Sequence, residues 1–246
     1  MAESVRDVRV AVACVGLADG LSEDFDVGER LRLLVERCVE FLDVAAVGVI
    51  LAAPEDGTVE VAASHEPVGR LERLAVEWDE GPCRASLRTG EAVAEVGLGV
   101  SSTQVRWPRF CRHAAGLGFA SVAATPLRLR EQTIGALSLF RQRPEPLPAP
   151  QLRFAGALAE LATIGILHRR TAHRQALLIG QLETALRSRV VIEQAKGALA
   201  QLRRISVDEA FTLLRRHARA QRRLLTTVAE EVLSGTADPS LLGAGE

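Results

Sequence analysis

The chain has 246 residues, 48% of them hydrophobic and 25% charged, with a formal net charge of −1. That balance excludes a wholly disordered polypeptide and leaves room for one large domain or two small ones. The longest apolar runs, Val10 to Ala18 and Val44 to Ala53, fall well short of the ~20 residues of a membrane span, and Glu3 and Asp7 stand where a signal peptide would be basic, so a cytoplasmic chain with no membrane partner is expected.

In chain order, an amphipathic N-terminal stretch leads into Leu31, Leu34, Val35, Cys38, Val39 and Leu42, whose spacing predicts a helix. Two β-rich runs follow, Val44 to Leu51 and Thr58 to Ala63, around the turn sequence Pro54-Glu55-Asp56-Gly57. Short helical patterns occupy Val68 to Ala75 and Pro82 to Arg88, and a strand is expected at Ala92 to Val96. A polar loop then precedes a helix at Trp107 to Gly116. Ser121 to Leu127 and Thr133 to Phe140 read as a hairpin across Arg128 to Gln132. This order describes an antiparallel sheet with helices on it, the α+β class. Pro144 to Pro150 reads as a loop within that first domain, because the helix after it is needed to cover the sheet. From Gln151 to about Leu186 a proline-free helical pattern carries Leu158, Leu161, Leu178, Leu182 and Leu186, a weak coiled-coil seam that fits a dimeric connecting helix or ordinary core packing.

Charge is divided unevenly along this map. Through His168, 17 arginines face 23 acids; from Arg169 to Arg223, 12 arginines and Lys196 face four acids, a balance of +9. The second region suits a polyanion, or else is a solvated face rich in arginine. The chain contains no Tyr and no Asn, and Lys196 is its one lysine, a pattern expected of a GC-rich genome. A lysine kept against that drift points to a position that needs a compact ammonium rather than a planar guanidinium. Cys14, Cys38, Cys83 and Cys111 form no CxxC pair, and only Cys111 and His113 lie close together, so free thiols and no metal site are expected.

From Ala185 to Gly235 three helical pieces can be read. The first ends near Arg203–Arg204, the second opens at Ser206 with Glu209 three residues on as a capping box, and the third spans about Leu225 to Leu233. Within this stretch SRVVIEQAKG, ISVDEAF, LLRRHARA and VAEEV together resemble the ANTAR domain. The resemblance implies a three-helix RNA-binding domain at residues 185–235 that binds paired RNA hairpins and so promotes transcription antitermination. It implies RNA contacts at Gln194, Ala195, Lys196 and Gly197, which match the family's QAKG motif, and at the basic positions Arg189, Arg215, Arg216 and Arg223. The chemistry agrees: splayed loop bases can be hydrogen-bonded and stacked, while flanking phosphates need cations. For Gly197 the other reading is tight helix–helix packing. The chain departs from the pattern at Ala198, Leu199 and Ala200, where bulkier residues are usual, and at Arg222 to Leu224, where Asn and then basic residues are usual.

Upstream, EGPC at Glu80 to Cys83, RWPRF at Arg106 to Phe110, and ATPLRLREQTIGALSLF resemble the GAF domains that precede ANTAR domains in regulators of high-GC bacteria. This resemblance covers residues 22–169 and implies a sensor with a pocket for a small ligand of unspecified identity, leaving residues 1–21 as an N-terminal helical extension. Residues 151–186 then include the connecting helix, and residues 236–246 a flexible tail. Trp78, Cys83, Trp107, Phe110, Cys111 and His113 are the candidate pocket residues, with a packed core as the alternative for both tryptophans. Cys83 opens a helix, where the dipole lowers a thiol's pKa, against the plainer reading of an inert buried cysteine. No cofactor is identified. The expected function is therefore a non-enzymatic, homodimeric, signal-responsive RNA-binding regulator. A DNA-binding factor that uses its last helices in a major groove is the second reading. A thiol-dependent enzyme is the third, and no paired catalytic carboxylates, nucleophile elbow or P-loop supports it.

Overall fold

The computed structural model describes residues 2–19, 26–53 and 58–243, and the chain divides into two compact units, Met1–Ala172 and His173–Glu246. The turn expected at Pro54 to Gly57 lies outside the described residues.

The first unit is built on a sheet of order β2-β1-β5-β4-β3, with every described pairing antiparallel. Its strands are β1 (Ala46–Ala52), β2 (Val59–Ala63), β3 (Val93–Gly97), β4 (Ser121–Leu129) and β5 (Gln132–Arg141). The paired strands β1 and β5 read as near-continuous apolar runs because both faces of the sheet are covered. Alternation then sorts their side chains. Val47, Val49 and Leu51 of β1, with Leu137 and Leu139 of β5, enter one core, where they meet Leu31, Leu34, Val35 and Cys38 of α2 (Val27–Phe41). Leu17 of α1 (Ala2–Ala18) and Leu158, Ala162 and Ile166 of α7 (Ala149–Arg203) complete it. A Cβ on Gly165 would stand 2.6 Å from the Leu17 carbonyl, so the end of α1 lies directly on α7. Of the expected α2 stripe, Val39 is the exception: it lies on the exposed side.

The opposite face takes α3 (Glu66–Trp78), α4 (Pro82–Thr89) and α6 (Pro108–Gly116). Here Ala46 and Phe140 pack with Val68, Leu71, Ala75, Trp107, Phe110 and Ala114. The segment read as a loop contains a further short helix, α5 (Ser101–Arg106), whose Thr103 is buried; six residues are too few to show a helical period in sequence. The proline-rich segment stays with this unit. Glu95 accepts a hydrogen bond from the Leu147 amide, and buried Arg141 donates to the Glu145 carbonyl.

The second unit packs the C-terminal part of α7 with α8 (Val207–Ala220), α9 (Leu225–Ser234) and α10 (Pro239–Leu242). Ala195 and Leu199, Ala210, Leu214 and Ala218, and Val228, Ala229 and Val232 form its core. The capping box is present: Ser206 Oγ accepts from the Glu209 amide, and Glu209 accepts from the Ser206 amide. Within the segment expected as a flexible tail, residues 236–246, the described part contains α10. Asp238 caps it, and Ala237 and Leu241 are buried in the bundle, so two apolar side chains suffice to dock the segment. Arg204 and Arg222 both adopt left-handed backbone, with φ of 55° and 52°. Arg222 occupies the place where the ANTAR pattern has Asn, which tolerates that conformation better than an arginine does.

Candidate nucleic-acid interface and sensor core

On α7 the string Gln194-Ala195-Lys196-Gly197 spans a full turn, so its four side chains cannot share one surface. Ala195, expected as an RNA contact, is fully buried against α8 and α9, where its small size serves helix packing. Lys196 leans toward α8. Its ammonium lies 2.9 and 3.0 Å from the two Glu193 carboxylate oxygens and 5.0 Å from the centre of the Phe211 ring, leaving the side chain 14% exposed. Gln194 and Gly197 face outward. No atom comes within 4 Å of a Cβ built on Gly197, so helix–helix packing gives no reason for a glycine there. In mid-helix it costs about 1 kcal/mol relative to alanine.

Arg189, Arg215 and Arg216 are exposed, and so are Arg204, Arg219 and Arg222. On α8 the core positions Ala210, Leu214 and Ala218 define one side, and Thr212, Arg215, Arg216 and Arg219 take the other. Arg223 is engaged differently. Its guanidinium makes a two-pronged pair with Glu231 of α9, which holds the Glu231 carboxyl below its ordinary range. A second feature of this unit is a row on α7 that nothing among the described residues covers: Leu178, Leu182 and Leu186, four residues apart, are each more than half exposed, as are Ile179 and Val190.

In the sheet unit the expected pocket residues are mostly structural. Glu80 accepts hydrogen bonds from the Arg109 and Phe110 amides at 2.8 and 3.0 Å and so caps α6. Gly81 has φ of 94°, and a Cβ there would meet the Phe110 ring at 2.8 Å. Pro82 opens α4 and Pro108 opens α6. EGPC and RWPRF thus form one joint in which Glu80 and Gly81 seat Phe110. Trp107, Phe110, Cys83 and Cys111 are all buried, and Cys111 Sγ donates to the Thr103 carbonyl. Trp78 is half-buried, with its ring tilted against that of exposed His113 at a centroid distance of 4.8 Å. For Cys83, burial with Glu72 beside it pushes the thiol's pKa well up, in line with the plainer reading of an inert buried cysteine.

Sequence reasoning missed the residue next to that thiol. Glu72, on the apolar stripe Val68, Leu71, Ala75 of α3, is fully buried, with the Ser138 hydroxyl and the Cys83 thiol as its polar neighbours and no well-formed hydrogen bond to either. Burial pushes the Glu72 carboxyl up to about 7, with Ser138 and Cys83 partly offsetting it. A Cβ on Gly48 of β1 would stand 2.8 Å from Glu72 Cγ, so the strand has made room for this side chain. Position 72 falls on the same helical face as Val68, Leu71 and Ala75, and a carboxylate on that face was the available signal. Among the described residues no three His, Cys, Asp or Glu side chains are grouped to hold a metal, and no described helix is long and apolar enough to cross a membrane.

Residues 26–167 match the model of the GAF domain, and residues 180–233 match that of the ANTAR domain. No curated protein matches the chain. Among solved structures, the bacteriophytochrome RpBphP3 from the photosynthetic bacterium R. palustris aligns at 15% identity with a TM-score of 0.52, over 87% of this chain and 46% of that one. Its chromophore-binding domain aligns at 13% identity, TM-score 0.47, over 69% of this chain and 63% of the other. The GAF domain of an Acinetobacter phosphoenolpyruvate-protein phosphotransferase aligns at 14% identity, TM-score 0.49, over 68% of this chain and 95% of that one. The chain thus spans less than two thirds of either bacteriophytochrome structure. At these identities the likeness is one of fold.

Proposed function

Because the chain belongs to the GAF domain family and carries an ANTAR domain after it, we propose that it is a signal-responsive regulator that binds hairpin RNA and promotes transcription antitermination. The observation that carries this reading is Gly197. It is a mid-helix glycine with empty space around it, on a bundle lined with exposed arginines. An outside partner that needs close backbone approach accounts for the glycine, and the arginines supply the cations that a phosphate backbone requires. Gln194 contributes an exposed amide for a base edge, and Arg189, Arg215 and Arg216 neutralise phosphate.

The leucine row on α7 is covered by a second copy of the chain. Paired hairpins need two binding domains, and the spacing of Leu178, Leu182 and Leu186 suits a helix lying alongside another. The GAF domain takes a small ligand on the α3–α4 side of its sheet, where Glu72 and Ser138 are buried polar side chains. Ligand binding there changes dimerisation or the presentation of the basic surface, in a chain that works without catalysis in the cytoplasm. A gel-shift titration tests the reading, with a two-hairpin RNA, a loop-scrambled copy and matched duplex DNA as probes. Preference for the intact loops, weakened in Lys196→Ala, is expected. Equal binding to all three probes, or a preference for duplex DNA, would overturn it.

A further inference from the structure

The bundle core is formed from one side of α8, and among the described residues Phe211 lies outside it. This ring is half-buried rather than buried, although the apolar pattern of the helix places it with Ala210, Leu213 and Leu214. Against the ring lies a cation, the Lys196 ammonium 5.0 Å from the ring centre. Three further features lie on the same two helices. Glu193 holds that ammonium through both carboxylate oxygens and so fixes where the lysine stands. Gly197, the next residue along α7, has open space where a side chain would be. Exposed Arg215 is one helical turn along α8 from Phe211, on the same side.

An aromatic face beside a compact cation, an accessible backbone and a guanidinium is what an extruded nucleobase requires. The ring takes the base by stacking, the lysine and arginine take the flanking phosphates, and the glycine admits the sugar-phosphate backbone. A protein partner would need a wider apolar surface than a single half-buried phenyl ring. We propose that Phe211 is the platform on which an unpaired loop base stacks, and that Glu193 is the positioning residue that keeps Lys196 beside that ring. This assignment rests on the hairpin-RNA reading, and it places the recognised base against α8 rather than along α7 alone.

The test uses the full chain and a two-hairpin RNA with 2-aminopurine replacing single loop bases, read by fluorescence quenching and by affinity. Wild type quenches one loop position. Phe211→Leu loses that quenching and about tenfold or more in affinity, with the salt dependence unchanged because no phosphate contact has been removed. Phe211→Trp keeps both, which guards against a leucine variant that merely packs badly. Full affinity and quenching in Phe211→Leu would overturn the assignment while leaving RNA binding intact, and so would a tryptophan variant that fails as the leucine one does. A wild-type protein indifferent to loop sequence would instead remove the underlying reading, and this inference with it.

Discussion

In the sheet unit the residues that stand out in sequence, Trp107, Phe110, Cys83 and Cys111, are packed out of reach of solvent, whereas in the helical unit Gln194, Gly197 and most of the arginines lie on the surface. Both sets carry family motifs, yet the motifs persist for different reasons. EGPC and RWPRF describe a joint in which a carboxylate caps one helix and a glycine clears space for a phenylalanine. QAKG describes a turn of helix of which one residue packs, one is held by neighbours and two face out. A motif that the fold itself explains says little about a ligand. One that leaves a glycine without an internal reason says more.

Removing the joint should have the largest effect. Phe110→Ala deletes a fully buried ring and should cost about 3–5 kcal/mol of stability in the sheet unit, measured by denaturant unfolding. A loss under about 1 kcal/mol would mean the ring lines open space, and the contrast between the units would dissolve. Glu72 comes next. Its pKa of about 7 in the folded protein lies above the ordinary carboxylate value, so the folded state holds a proton that the unfolded chain has released. Stability is then full at acidic pH and falls as pH rises through 7, by roughly 3 kcal/mol in all. Melting curves at pH 5 and pH 8 should show that decline in wild type and a flatter response in Glu72→Gln. Equal slopes would place the carboxyl in contact with solvent or a cation.

Much of this was legible in the sequence, for physical reasons that differ by element. The antiparallel sheet followed from apolar runs too short for helices, and the three main bundle helices from a capping box and a 3–4 period. Short α5 and α10 were missed because six and four residues are less than two helical turns, and α10 docks by only Ala237 and Leu241. Site residues were harder. Composition shows that Lys196 is singular, but only the packing of α7 on α8 shows that it is paired with Glu193 and laid over Phe211. Burial of Ala195 was implicit in its i, i+4 relation to Leu199. Residue type alone could not single out the pocket, because tryptophan, phenylalanine and cysteine fill cores as readily as they line ligand sites. Glu72 was recoverable from its position on an apolar stripe, while the room that Gly48 makes for it required the structure.

The central claim, that the helical unit's exposed motif residues are kept for an external nucleic-acid partner, is tested most directly at Gly197. Gly197→Ala meets no atom within 4 Å and restores helix propensity, so the variant should be more stable by about 1 kcal/mol in chemical denaturation. The same purified protein should bind the two-hairpin RNA more weakly than wild type, because the added methyl stands where the backbone of the loop approaches. A variant that gains stability and binds RNA as tightly as wild type would contradict the account.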